Sequence, residues 1–458
     1  LVLARLLPPE AFGLVSLAGI LISFMMVFAD QGISDALIQR QELEPEHLDT
    51  AFWTNFGVSA LLTILSIAAA QPVSNLFHQP QLISIIWWLS LSFLASGLSS
   101  VQQSLLRRQF AFRALAVRSL LALSVGGIVG VSMACMGWGV WSLVGQQLVG
   151  RLVTVLALWW FSDWRPGFKI SAKHFQELFS FGIKMLGSSI LAFFSIRSDD
   201  FLIGYFLGPV ALGYYTVAYR LLVAMTQMIS ATTRQVALPI FSRLQQQIEQ
   251  LRQAFLSATQ LLSLFVFPAS LGLVVLAPEV VRTLFGEQWL PSVPVMQILA
   301  LSVMTQIVGS LGGIILVAVG KPDWGLKMIL LNTVVNVIGF AIAVRWGIVA
   351  VAASFVIRDY LLQPVLFWLV YKLTGIKFFT YLRQFVVPLV GSLTMVIFIL
   401  ATKYFLGNLI NSQALLAVCV ILGGAFYAGT ILLIAPKLFR EVIDLTSLSL
   451  GISKLKKT

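Results

Sequence analysis

Charged residues are scarce in this chain, and their scarcity excludes an ordinary soluble protein. Lysine, arginine, aspartate and glutamate make up 10% of its 458 residues, against about 25% in soluble proteins. Apolar residues make up 59%, and the mean hydropathy is +0.93. This composition predicts a protein that crosses a membrane many times.

Cysteine and histidine are scarce as well, with two and three residues respectively. Cys135 and Cys419 lie inside apolar runs, so they form neither a disulfide framework nor the spacing of a metal site. No catalytic motif surrounds the histidines, and no nucleophile or pair of carboxylates stands in a defined setting. We therefore expect no enzymatic activity, no metal and no cofactor.

Long apolar runs are abundant. A membrane-spanning helix needs about 20 mostly apolar residues, and thirteen such segments lie at approximately 11–29, 50–70, 82–105, 114–135, 138–161, 178–206, 209–239, 254–277, 293–319, 324–345, 347–371, 382–402 and 412–435. Residues 1–7 resemble the tail of a first span, most of which we expect to be missing. Continuous runs of this length exclude an alternating barrel. The sequence predicts an all-α integral membrane protein with about 14 transmembrane helices.

The distribution of lysine and arginine predicts the orientation. Twenty-one of them flank the loops after even-numbered spans or lie in the C-terminal tail, whereas four flank the loops after odd-numbered spans. Positive residues favour the cytoplasmic side of a membrane, so both termini are predicted to be cytoplasmic. The formal net charge of +12 follows from this topology. No nucleic-acid partner is expected.

The chain contains an internal repeat at an offset of about 200 residues. Residues 6–13 align with residues 206–213 through Pro9/Pro209, Ala11/Ala211 and Gly13/Gly213. Because each repeat has six spans, both halves insert the same way up, and we expect a substrate site between them. We predict an N-terminal bundle at residues 1–161 and a C-terminal bundle at residues 178–372, joined by an amphipathic cytoplasmic linker at residues 162–177. Residues 373–458 are predicted to form two further spans and a basic tail.

The linker has two open interpretations. Residues 168–178 carry apolar residues at helical spacing with Lys169, Lys173 and His174 opposite, which is typical of a short helix at the membrane surface. The alternative is an ordinary basic loop.

Ionised side chains within the spans are the candidate functional residues, because a charge at mid-bilayer costs roughly 2.5–3.5 kcal/mol. Span 8 carries Arg220, Gln227 and Arg234 at a seven-residue spacing, which places them on one helix face. One interpretation is a cationic stripe that lines a cavity and holds a phosphate or another anion. The alternative is an ion pair with Asp199 or Asp200, with Arg234 snorkelling to the cytoplasmic interface.

The repeat partners of Arg220 and Arg234 are Ile20 and Ser34, so the stripe is expected in the second half alone. The remaining cavity candidates are Arg197 and Asp199 in span 7, Arg358 and Asp359 in span 12, and Arg151 in span 6. Arg197 and Asp199 are two residues apart, so we expect them to reach separate partners. Asp199 either lines the cavity or forms an interhelical pair.

Asp30 and Asp35 lie toward the cytoplasmic end of span 2. We interpret them as helix-terminal residues, because a carboxylate near the end of a span is close to the polar interface.

Three stretches resemble a known family. They are Leu3–Gly13, Ala29–Gln39, and Asp199–Tyr215 together with Pro239–Arg243. On these residues the chain resembles the Wzx-type flippases of the multidrug/oligosaccharidyl-lipid/polysaccharide (MOP) exporter superfamily, in the branch that serves colanic acid and teichuronic acid export. The resemblance implies two parallel six-helix bundles in a V-shaped, alternating-access fold with two peripheral helices.

The resemblance also implies a function in the bacterial plasma membrane. The substrate would be an undecaprenyl-diphosphate-linked oligosaccharide, flipped from the cytoplasmic to the periplasmic leaflet, and the partners would be membrane lipids, a polysaccharide polymerase and a chain-length regulator. Two alternatives stay open. A cation-coupled multidrug exporter of the same superfamily would need an acidic cavity, and a non-transporting scaffold of an assembly complex would not need arginines inside the membrane.

Overall fold

The computed structural model describes residues 2–29, 33–40, 43–169, 171–407 and 409–438, with the side chains of residues 35, 39, 172–186 and 188 excepted. This part of the chain contains two short 3-10 helices, Glu287–Ser292 and Val344–Trp346, and no strand. Its α-helices are α1 Val2–Leu6, α2 Pro9–Ala29, α3 Ile33–Gln39, α4 Pro45–Phe77, α5 Gln81–Arg108, α6 Phe112–Cys135, α7 Trp141–Phe161, α8 Ala172–Leu244, α9 Ile248–Leu284, α10 Val293–Ala318, α11 Pro322–Ala343, α12 Ile348–Thr374, α13 Phe378–Leu406 and α14 Ser412–Ile434.

Most of these helices can cross a membrane. Twelve segments of the described chain are long and apolar enough to do so, and one of them, Ser189–Leu244, covers two predicted spans. Large apolar side chains also face outward, with Leu433 84% and Trp160 85% exposed. Lipid accommodates such side chains at little cost, whereas water does not. The prediction of an all-α membrane protein is confirmed, and the exact number of spans stays a prediction.

Helix α8 is bent at the predicted turn between spans 7 and 8. Gly208 has φ 82° and ψ 178°, a backbone conformation outside the helical region that glycine adopts without a steric penalty. Pro209 follows it and lacks the N–H that a continuous helix would use. We call residues 172–207 the first limb of α8 and residues 209–244 the second limb. The first limb begins within the predicted linker, so part of that linker is continuous with span 7.

The rest of the linker is anchored on the first turns of α4. Gly167 N–H donates to Asp49 Oδ1 at 2.9 Å, and Ser171 N–H donates to Thr50 Oγ1 at 3.1 Å. The Trp53 indole donates to the Gly167 carbonyl at 2.7 Å. These bonds fix the connection between α7 and α8 against the start of α4.

The repeat is visible as a reciprocal contact between α2 and the second limb of α8. A Cβ atom at Gly13 would collide with the carbonyl of Pro209, and a Cβ atom at Gly213 would collide with the carbonyl of Pro9. Thr216 and Ser16, which are also repeat partners, share a hydrogen bond at 3.2 Å between their hydroxyl groups. Each contact maps onto its counterpart when the two repeats are exchanged. The glycines therefore allow the two backbones to meet.

The chain groups into two compact units. Unit 1 contains Leu1–Thr216 and Asn336–Ile348, and unit 2 contains Val217–Val335 and Val349–Thr458. Within unit 1, α4 packs on α5, α6 on α7, and α5 on both α2 and α7. Within unit 2, α9 packs on α10, α13 and α14. The predicted bundles and their V-shaped arrangement stay predictions.

Candidate functional site

Unit 1 contains a cavity of about 470 Å³ bordered by helices α2 to α7, which we call the polar cavity. Cations, amides and hydroxyl groups dominate its lining. The cations are Arg107, Arg118 and Arg151, the amides are Asn55 and Gln103, and the hydroxyl groups belong to Ser34, Ser96, Ser99, Ser100, Ser104, Ser119 and Thr154.

One face of α5 supplies half of this lining. Its polar residues recur in steps of three and four, which places them in a single stripe along a helix. The stripe consists of Ser96, Ser99, Ser100, Gln103, Ser104 and Arg107. Gly97 lies beside it, where a Cβ atom would come within 2.8 Å of Ser59 Oγ on α4. A glycine at this position therefore lets α4 approach α5 at the wall of the cavity.

Arg118 on α6 is held by neutral groups. Its Nη1 donates to Gln103 Oε1 at 2.7 Å, and its Nη2 donates to Ser119 Oγ at 2.9 Å. The positive charges of Arg107 and Arg151 both act on its guanidinium group. No carboxylate is among the described residues that line the cavity, although Asp30 and the side chain of Asp35 lie outside the described residues. Three like charges in one space favour the binding of an anion.

Asn55 on α4 adds a hydrogen-bonding position to the cavity. Its side chain is buried, and its Nδ2 donates to Ser100 Oγ at 2.9 Å. Its Oδ1 is buried without a partner in the described part of the chain. A buried acceptor without a donor costs free energy, and the bond from Nδ2 to Ser100 joins α4 to α5 at the cavity.

Two of the predicted site residues, Arg197 and Asp199, lie elsewhere in unit 1. Arg197 Nη1 contacts Asp200 Oδ2 at 2.8 Å, so its charge is paired within α8. Asp199 is buried, and its Oδ2 accepts a hydrogen bond from Tyr215 Oη at 2.8 Å. Neither residue lines the polar cavity. A role for them in another cavity stays a prediction.

Arg358 and Asp359 form a network in unit 2. Arg358 Nη2 lies 3.0 Å from Asp359 Oδ1, and its Nη1 donates to Asn332 Oδ1 at 2.9 Å. Gln306 Nε2 donates to Asp359 Oδ2 at 3.1 Å, and the Arg358 guanidinium lies 4.6 Å from the centre of the Phe355 ring. This arginine has its countercharge beside it and is 8% exposed.

Arg220, Gln227 and Arg234 lie on the second limb of α8 and are exposed. Of the predicted site residues, Arg151 lines the polar cavity. In the sequence, Arg107 and Arg118 are among the cations that flank a loop after an even-numbered span, so topology alone accounts for them. The signal that could have identified their surroundings is the stripe of serine and glutamine on α5.

Unit 2 contains a second cavity, of about 530 Å³, among α9, α10, α12 and α13. Its lining is mainly aromatic and aliphatic, with Phe255, Val308, Phe367 and Phe385 among the residues, and none of the described lining residues is charged. This space is chemically the opposite of the polar cavity. Its described lining residues offer no cation to a phosphate.

Comparison with curated proteins gives relatives in polysaccharide biosynthesis. The chain is 31% identical over 301 residues to the succinoglycan biosynthesis transport protein ExoT of Rhizobium meliloti, and 27% identical over 304 residues to the teichuronic acid biosynthesis protein TuaB of Bacillus subtilis. Each match covers 66% of this chain, and the matches cover 61% and 62% of the two relatives. The matched region is thus less than two thirds of each relative.

Solved structures show the same fold. The lipid II flippase MurJ in an inward closed conformation has a TM-score of 0.77 at 14% identity, covering 96% of this chain and 95% of that one. An inward-facing MATE family transporter of the MOP superfamily has a TM-score of 0.65 at 17% identity, covering 82% and 93%. A family model described as "Polysaccharide biosynthesis protein" matches residues 2–294. The chain therefore belongs to this polysaccharide biosynthesis protein family and has the fold of the MOP superfamily.

Proposed function

We propose that the protein flips an undecaprenyl-diphosphate-linked oligosaccharide from the cytoplasmic to the outer leaflet of the bacterial plasma membrane by alternating access. The observation that carries the proposal is the lining of the polar cavity, where Arg107, Arg118 and Arg151 stand among serine and amide groups. A lipid-linked oligosaccharide offers phosphate oxygens to the arginines and hydroxyl groups to the serines and amides.

The position of the polar cavity supports loading from the cytoplasm. Its lining residues lie toward the ends of α2 and α5, toward the beginnings of α4 and α6, and at the middle of α7. The excess of lysine and arginine in the adjoining loops assigns this side to the cytoplasm. The topology proposed here has both termini on the same side, and a polymerase and a chain-length regulator would receive the product on the other.

The same lining argues against the two alternatives. A multidrug exporter with cationic substrates would have to bring them beside three arginines, which repel a cation in a medium of low dielectric constant. A scaffold has no ligand to offset the free energy of keeping these cations within the membrane. The relatives named as transport and biosynthesis proteins for polysaccharides further support the flippase.

Deletion of the protein in a strain that makes the polymer tests the proposal. We expect lipid-diphosphate oligosaccharide to accumulate in the cytoplasmic leaflet and polymer to disappear from the cell surface, with both reversed by the wild-type chain. Extraction and mass spectrometry of the lipid pool measure the accumulation. An unchanged lipid pool together with new drug sensitivity would favour the exporter instead.

The same strain tests the predicted stripe on α8, which we propose as a further cationic surface on the substrate path. Complementation with Arg220→Ala should fail to restore polymer export while the variant remains in the membrane. Full export by a stably expressed Arg220→Ala chain would remove the stripe, with Gln227 and Arg234, from the path. That outcome would leave the role of the polar cavity intact.

A further inference from the structure

We infer that the polar cavity holds a diphosphate group, with Arg118 as the central ligand and Arg107 and Arg151 as its outer and inner neighbours. The inference rests on the proposed function for the source of the diphosphate. It assigns the anionic part of the substrate to a site on helices α5, α6 and α7 of unit 1, which we call the diphosphate site. The α8 stripe is not part of this site.

The three arginines lie at increasing depth from one end of the helices. Arg107 is one residue before the end of α5, Arg118 is six residues after the start of α6, and Arg151 is ten residues before the end of α7. At a rise of 1.5 Å per residue these offsets correspond to about 1.5, 9 and 15 Å along the helix axes. Because α5, α6 and α7 are consecutive and pack together, the three ends lie on the same side. An anion that enters there meets one cation after another.

Arg118 is arranged to exchange its present partners for a ligand. Gln103 and Ser119, which accept hydrogen bonds from its Nη1 and Nη2, are neutral, and each of these nitrogens carries a second N–H. The present bonds join a cation to neutral acceptors, whereas a phosphate would accept two N–H bonds from the same guanidinium and bring its own negative charge. The exchange is therefore favourable, and Gln103 and Ser119 hold the guanidinium in place until it occurs.

The size and the remaining lining also suit this ligand. The volume of about 470 Å³ lies within the range of roughly 300–1,000 Å³ that is typical of ligand pockets. The hydroxyl groups of Ser96, Ser99 and Ser100 also line the cavity, where they can form hydrogen bonds with the first sugar after the diphosphate. The cavity of unit 2 has no charged residue in its described lining, so it offers no cation to a phosphate.

Inorganic diphosphate and farnesyl diphosphate are the ligands that test the diphosphate site. We would titrate each into the purified full-length protein in detergent and measure binding by calorimetry. We expect both to bind, more weakly as the salt concentration rises because the contacts are ionic. Arg118→Gln should weaken binding at least tenfold. Arg282→Gln, an exposed arginine outside both cavities, makes the same chemical change and should bind like the wild type.

Competition experiments distinguish a diphosphate ligand from a membrane phospholipid and from a glycan. Phosphatidylglycerol in mixed micelles offers a single phosphodiester, and a neutral maltooligosaccharide offers hydroxyl groups without phosphate. We expect neither to displace farnesyl diphosphate. Displacement by phosphatidylglycerol would make the cavity a site for membrane lipid headgroups, and displacement by the maltooligosaccharide would make it a glycan site; each overturns the inference.

Equal affinities of Arg118→Gln and Arg282→Gln for diphosphate would overturn it as well. Failure of the proposed function has a different signature. A deletion strain with an unchanged lipid pool, together with diphosphate binding that depends on Arg118, would support the diphosphate site and contradict the proposed flippase function.

Discussion

The polar cavity of unit 1 and the Arg358 network of unit 2 both hold arginine within membrane helices, yet they hold it differently. Arg118 is bonded to the neutral groups of Gln103 and Ser119, at 2.7 and 2.9 Å. Arg358 lies 3.0 Å from the carboxylate of Asp359, which is itself bonded to Gln306. The difference is that a carboxylate accompanies Arg358, whereas none of the described residues that line the polar cavity supplies one to Arg118.

A cation whose countercharge is built in mainly stabilises the fold, whereas a cation held by neutral oxygens can offer its charge to a ligand. Arg197, paired with Asp200 at 2.8 Å, belongs to the first class, as does Lys403, paired with Glu279 at 2.9 Å between α13 and α9. Whether a cation is bonded to a carboxylate or to neutral oxygens therefore separates two kinds of intramembrane charge that look alike in the sequence.

The largest effect is expected from Arg358→Met in unit 2. Removing this cation leaves the carboxylate of Asp359 buried beside an apolar side chain, and breaking a buried pair in this way lowers the free energy of unfolding by about 3–5 kcal/mol. We expect a lower thermal unfolding midpoint in detergent and less protein in the membrane. The double variant Arg358→Met/Asp359→Asn should recover most of the loss, because no charge remains unpaired. A single variant as stable as the wild type would show that the pair does not support the fold.

Arg118→Glu in unit 1 should lower polymer export without lowering the stability of the protein. The new carboxylate would lie beside Arg107 and Arg151, which already act electrostatically on this position. We therefore expect a thermal unfolding midpoint no lower than that of the wild type, and polymer export reduced at least tenfold because an anion is now repelled. Export is measured in the deletion strain, with membrane levels checked by immunoblotting. Normal export, or loss of the protein from the membrane, would contradict the assignment of Arg118 to ligand binding.

Much of the fold could be predicted from the sequence, because the apolar runs and the repeat are local patterns. The runs correspond to helices, Gly208 breaks α8 at the predicted position, and the Gly13/Gly213 correspondence reappears as a contact. The turn chemistry of glycine and proline is a property of a few neighbouring residues, so it can be read without tertiary information. The start of α8 at Ala172 lies within residues 168–178, where helical spacing predicts a short helix as one of two interpretations. Hydropathy could not predict that this helix continues into span 7, because polar residues are equally able to form a helix.

The candidate site could be predicted only in part, because pairing depends on residues far apart in the chain. In the sequence Arg151 lies within span 6, whereas Arg107 and Arg118 lie beside a loop whose positive charge predicts the topology. The polar stripe on α5 is visible in the sequence, whereas the partner of Arg358 at position 332 and the partner of Asp359 at position 306 are known only from the fold. A sequence can therefore locate a cation within a span without indicating whether its countercharge is supplied by the protein or by a ligand.

The smallest effect is expected from Ser100→Ala, which changes a neutral contact in the polar cavity. Ser100 Oγ accepts a hydrogen bond from Asn55 Nδ2 at 2.9 Å, and its loss should lower the free energy of unfolding by about 1 kcal/mol. Export should fall by less than threefold, because no charge is lost and Asn55 can turn its amide toward the other hydroxyl groups of the cavity. Ser189→Ala, on an exposed residue outside the cavity, is the matched control. If Ser100→Ala abolished export as fully as Arg118→Glu, neutral hydrogen bonds and not charge would govern the cavity.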